Sequence, residues 1–147
     1  MKIVVISNSG LSICKFRYEL LKSLIDGGHT VTVLTPKDDF VDEIVALGCN
    51  HIETPLSRHG TNPFSDLKLL CLYKKILKNI KADVVLTFTI KPNIYGAWAC
   101  KMLNIPCVAN VTGLGTAVEN GGIIQKITVL LYKLAFKKVK TVFFQKK

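Results

Sequence analysis

The residues best suited to chemistry sit in one stretch, 87–115, TFTIKPNIYGAWACKMLNIPCVANVTGLG. Lys91 and Asn93 follow the apolar run VVLTF at 84–88, and Thr112, Gly113, Leu114 and Gly115 follow a second run at 105–111. Two glycines around one leucine let the backbone approach a ligand closely and point N–H groups at it. Pro92 cannot donate to a ladder and holds Lys91 extended, and Asn93 reads as the N-cap of a helix carried by IYGAWACKML. Strand, polar turn, helix, strand, glycine turn is the unit of an open parallel sheet, whose ligands bind beyond the carboxyl ends of the strands. Either loop alone reads equally well as an ordinary turn. Together they mark the candidate site.

Other chemical signatures are weak. The first turn, Ser7-Asn8-Ser9-Gly10-Leu11, offers only Gly10 where a dinucleotide fingerprint needs three glycines, and Thr35-Pro36-Lys37 stands where an acidic residue would end the second strand. No Walker A loop occurs. His29 reads as a turn residue and His51 as a strand residue, both structural. His59, in the polar loop SRHGTN, is the histidine best placed to reach a cleft. Asp and Glu form no convincing catalytic pair. The five cysteines lack any CxxC or His-Cys cluster and read as small apolar fillers of a reduced protein, so neither a metal site nor a disulfide framework is expected.

These loops need a scaffold, and the chain supplies one. Strand-like runs recur at 2–7, 30–35, 49–54, 84–88, 106–111 and 141–144, with helical patterns between them. The alternation predicts an α/β fold, a Rossmann-like doubly wound parallel sheet, with the whole chain, 1–147, forming a single domain. At 147 residues and 49% hydrophobic content it can bury a core without disulfides or metals. Neither a signal peptide nor a spanning helix is expected.

The pattern at 66–81 predicts a helix with Leu69, Leu70, Tyr73, Ile76 and Leu77 on one side and Lys68, Lys74, Lys75 and Lys78 on the other. A second basic amphipathic helix is expected at about 123–137. The formal net charge is +10, from 18 Lys and 2 Arg, and no acidic residue follows Glu119. Such an excess suits an anionic membrane surface, a nucleic acid or a phosphate-bearing ligand. Scarce arginine, and aromatics at core-like spacing, weigh against nucleic acid.

Several segments together, SNSGLSICKFRYELLKSLIDGGHTVTVLTP, NPFSDLKLL, TFTIKPNIYGAWA, IPCVANVTGLG and VFFQ, resemble the N-terminal half of GT-B glycosyltransferases of the family 4 type. Bacterial enzymes that extend lipid-linked or capsular oligosaccharides are the nearest in kind. The resemblance implies an acceptor-binding domain for sugar transfer from a nucleotide-sugar donor to a polyprenyl-diphosphate-linked or related surface glycan, at the inner face of the plasma membrane, with no further cofactor and no metal. It implies that Gly10 approaches the donor diphosphate, that Phe16 and Arg17 lie on the adjoining helix with Arg17 gripping an acceptor phosphate through its fork, and that Lys91 and Asn93 line the cleft. Thr112 stands where many relatives carry a histidine, so no general base is assigned.

The resemblance also implies that the nucleotide-sugar domain is missing from these 147 residues, which look like half of an enzyme with little transferase activity alone. The alternative is a non-catalytic acceptor-binding and membrane-docking subunit that needs a separate donor-binding chain.

Overall fold

A computed structural model describes residues 1–55, 63–111 and 141–144. The strands are β1 (Lys2–Ile6), β2 (Thr30–Thr35), β3 (Asn50–Glu53), β4 (Val84–Phe88), β5 (Cys107–Val111) and β6 (Thr141–Phe144). They form one six-stranded sheet in the order β3-β2-β1-β4-β5-β6, and every neighbouring pair is parallel. Each strand found overlaps a run expected from sequence. After the exposed Lys2, IVVI at 3–6 is apolar without interruption because β1 is covered on both faces, as a central parallel strand must be.

The two faces divide the core. Val4 and Ile6 join Leu69, Tyr73 and Leu77 of helix α4 (Pro63–Ile80) and Ala97, Ala99 and Cys100 of helix α5 (Ala97–Leu103). Ile3 and Val5 point the other way, onto Ile13 of α1 (Gly10–Phe16), Leu21 of α2 (Tyr18–Asp26) and Ile44 of α3 (Val41–Ala46). The alternation of side chains along a strand therefore builds two cores on one sheet.

α4 starts at Pro63, at the proline start signal ahead of the periodic stretch 66–81, since proline is pre-set for a first helical turn and lacks only an N–H that would be unpaired there. It stops at Ile80 because Lys81 turns left-handed at φ 58°.

One helix start differs and corrects the expectation that Asn93 caps a helix. Helical backbone already begins at Ile90, runs through a π-turn at Pro92–Gly96 and continues as α5. The backbone N–H of Asn93 donates to the Thr89 carbonyl at 2.9 Å, and its side chain is engaged elsewhere. Gly96 allows this turn to lie directly on the sheet: a Cβ there would come within 2.9 Å of Thr87 Cγ2 and 3.2 Å of Ile6 Cδ1.

Candidate functional site at the carboxyl edge of the sheet

The chain leaves β1 toward β2 on one side, yet β4 pairs with β1 on the other. The strand order reverses between β1 and β4, and the crevice beyond their carboxyl ends is where open parallel sheets hold ligands. Gly10, Phe16 and Arg17 lie on or directly after α1, which follows β1, and Lys91 and Asn93 lie in the helical turn that follows β4. His59, Thr112, Gly113 and Gly115, with the basic segment 123–137, lie outside the described residues.

On the β1 side, Ser9 caps α1, its Oγ accepting from the Ser12 N–H at 3.1 Å. The Gly10 N–H donates to Asp38 Oδ2 at 2.8 Å, and Asp38 Oδ1 accepts from the Phe40 N–H at 3.0 Å. Asp38 thus ties the start of α1 to the loop after β2. A Cβ at position 10 would lie 2.5 Å from Asp38 Oδ1, so the glycine makes room for a carboxylate. The sequence signal was faint, because Asp38 stands three residues beyond the end of β2.

Arg17 follows α1 and places its guanidinium 4.7 Å from the centre of the Phe88 ring at the end of β4. A cation over an aromatic face is attracted by the ring quadrupole. Partial burial alone draws the guanidinium below its ordinary value, although an arginine still stays charged. Neighbouring Phe16 is 72% exposed.

On the β4 side, Lys91 Nζ lies 3.0 Å from Asp66 Oδ1, and the Tyr95 hydroxyl donates to Asp66 Oδ2 at 3.0 Å. Asp66 is in the first turn of α4, where the helix dipole favours a negative charge. Burial first, then the hydrogen bond and charge of Asp66, hold the Tyr95 hydroxyl protonated well above the usual phenol range. Lys91 is therefore a pinned cation. Its ammonium has three donors, so the Asp66 contact leaves capacity for a further anion.

Asn93 is buried and spans two strands. Its Oδ1 accepts from Thr87 Oγ1 at 2.7 Å and its Nδ2 donates to the Asn110 carbonyl at 2.8 Å. Asn110 Nδ2 returns a bond to the Thr87 carbonyl at 3.3 Å. The Asn93 side chain thus ties the carboxyl end of β4 to that of β5. Asp38, Asp66, Tyr95, Thr87 and Asn110 are not singled out by sequence as site residues; Asp38, Asp66, Tyr95 and Asn110 act through partners 17 to 29 residues away.

Two histidines among the described residues hold structural contacts: His51 Nε2 is 2.8 Å from Thr35 Oγ1, and His29 Nδ1 is 3.2 Å from the Met1 amine. Among the described residues no cluster of His, Cys, Asp and Glu could hold a metal ion, and no helix is long and apolar enough to cross a membrane.

The fold recurs in solved structures. MurG from Acinetobacter baumannii superposes with a TM-score of 0.65 at 18% identity, over 100% of this chain and 42% of that one. A putative UDP-N-acetylglucosamine 2-epimerase from Listeria monocytogenes gives 0.71 at 14% identity, over 97% of this chain and 38% of that one. At such identities the likeness speaks for the fold alone, the Rossmann-like half of a GT-B architecture. In sequence, the chain is 34% identical over 142 residues to the N,N'-diacetylbacillosaminyl-diphospho-undecaprenol alpha-1,3-N-acetylgalactosaminyltransferase of Campylobacter jejuni, across 93% of its own length and 38% of that relative's. The Glycosyl transferase 4-like family profile matches residues 2–146, so the chain belongs to that family.

Proposed function

We propose that this chain binds the acceptor of a glycosyl transfer, a sugar carried on a polyprenyl diphosphate, in the crevice beyond β1 and β4. The observation that carries the reading is the placement of two cations on that edge: Arg17 stacked on Phe88 and Lys91 pinned by Asp66. A guanidinium offers a planar fork and an ammonium a point charge, which together suit a diphosphate. The Campylobacter relative, named for an undecaprenol-linked diphosphate acceptor, supports the same substrate class.

In this proposal the donor is a nucleotide-sugar, bound by a second Rossmann-like domain or chain facing the same edge. That relative extends well beyond the matched segment, which covers 38% of it. Transfer is then expected only when both halves meet. The chain works as a peripheral protein at the cytoplasmic membrane face, where the exposed Lys74, Lys75 and Lys78 of α4 lie against anionic lipid.

The test is co-sedimentation with phosphatidylcholine vesicles that do or do not contain undecaprenyl diphosphate. Binding should require the diphosphate lipid and fall about tenfold or more in Arg17→Ala and in Lys91→Ala, since a lost charge-assisted contact costs roughly 1.5–3 kcal/mol. Equal sedimentation with both vesicle types, or variants that bind as well as the wild type, would refute the assignment.

A further inference from the structure

Ile6 pairs with Thr87, and Ser7, Asn8 and Thr89 follow just past the paired ends of β1 and β4. At this spot Ser7 Oγ, Asn8 Oδ1 and Thr89 Oγ1 are all buried without a hydrogen-bond partner. Ser7 is wholly buried and lies deepest, while Asn8 and Thr89 are half-buried. Native proteins satisfy nearly all such atoms, and three at one switch-point crevice call for a ligand.

Thr89 adds an independent sign. Its φ is +73°, in the left-handed region that a β-branched side chain resists. Such strain persists where the surroundings over-determine it, and it gathers at binding sites. Here the Thr89 carbonyl is held by the Asn93 N–H at 2.9 Å, and Asn93 is locked to Thr87 and to Asn110. A rigid frame thus keeps the Thr89 side chain at an edge that its backbone would otherwise leave.

The chemistry of the three atoms narrows the ligand. A carboxamide oxygen only accepts, whereas serine and threonine hydroxyls both donate and accept. A diphosphate at neutral pH offers oxygens that accept, and so cannot satisfy the Asn8 oxygen. A sugar hydroxyl both gives and takes a hydrogen bond, and therefore matches the whole set.

We infer that Asn8 and Thr89 form a subsite for the hydroxyls of the acceptor's sugar ring, separate in its chemistry from the cationic grip on the diphosphate. This rests on the acceptor reading above. Asn8 and Thr89 bind the pyranose and read its hydroxyls, and the strained turn presents the threonine to it.

The test compares two soluble probes by calorimetry: a short-chain prenyl diphosphate carrying one N-acetylglucosamine, and the same prenyl diphosphate without the sugar. In the wild type the sugar should raise affinity about tenfold, the effect of one or two well-placed hydrogen bonds. Asn8→Ala and Thr89→Gly should erase that gain and leave the sugar-free probe unaffected, while Thr89→Ser, which keeps the hydroxyl, retains it. Thr89→Gly should also melt higher than the wild type, because glycine relieves the strain, so its loss of the gain is not a loss of fold. A wild type that binds both probes equally, or variants that keep the full gain, would overturn the subsite while leaving the diphosphate site standing. Binding of neither probe would overturn the acceptor reading and the subsite with it.

Discussion

The side-chain amide of Asn93 donates to the Asn110 carbonyl at 2.8 Å, joining the helical turn after β4 to the neighbouring strand β5. The same side chain accepts from Thr87. One residue thus sets the relative position of two strand ends.

Replacing Asn93 by alanine leaves the Thr87 hydroxyl and the Asn110 carbonyl buried without partners. An unmet buried polar group costs roughly 1–3 kcal/mol, so Asn93→Ala should lose about 3 kcal/mol in urea unfolding. A loss under about 1 kcal/mol would mean that water reaches these groups in the fold.

Gly96→Ala inserts a methyl 2.9 Å from Thr87 Cγ2 and should cost about 1–3 kcal/mol by overpacking. Thr87→Ser removes that methyl and keeps the hydroxyl that serves Asn93. The double variant should recover much of the loss, which a double-mutant cycle measures as a coupling of about 0.5–3 kcal/mol. Additive losses would show that the turn yields against β1 rather than β4.

Asp66→Asn leaves the Lys91 ammonium, only 14% exposed, without its counter-charge. The Tyr95 hydroxyl can still donate to the amide oxygen. Stability should fall by about 1–2 kcal/mol, and Lys91→Met in the same background should restore part of it, since an unpaired half-buried charge is worse than an apolar stem. If the two losses simply add, the ion pair contributes nothing to the fold.

The pH dependence has opposite signs at the two ends of the scale. Burial lowers the His51 imidazole, against smaller raising effects from Asp38, Glu53 and the Thr35 backbone. The unfolded chain takes up that proton near the ordinary value, about 6.5, before the fold does. This contribution is therefore full above that value and is lost as pH falls through the folded one. Tyr95 is raised, so its contribution is full below the ordinary phenol value of about 10 and is lost as pH rises through the folded one. Chemical unfolding from pH 5 to 7 should be less pH-dependent in His51→Gln, and from pH 9.5 to 11 less so in Tyr95→Phe. Unchanged slopes would assign the sensitivity to other groups.

Much of the scaffold was written in local pattern. Apolar, β-branched runs between helical periodicities identify six strands, and the lysines of α4 mark its outer side, because burial on one side or two is a property of each segment. The sequence also placed Gly10, Arg17, Lys91 and Asn93 just after strands or on the helix that follows one, and so at the carboxyl edge of any parallel sheet they build.

What those residues touch was decided only by the tertiary structure. Asp38 reaches Gly10 from 28 residues away, Asp66 reaches Lys91 from 25, and Asn93 reaches the Asn110 carbonyl from 17. Each contact depends on which elements the sheet sets side by side: β2 beside β1 for Asp38 and β5 beside β4 for Asn93, just as β4 beside β1 joins Lys2 to Asp83 across 81 residues. Local propensity carries no term for such a neighbour. Only the sheet as a whole selects the strand order, through burial of both faces, and that order alone turned Asn93 from an expected helix cap into a clamp between strands and left Thr89 strained at the mouth of the crevice.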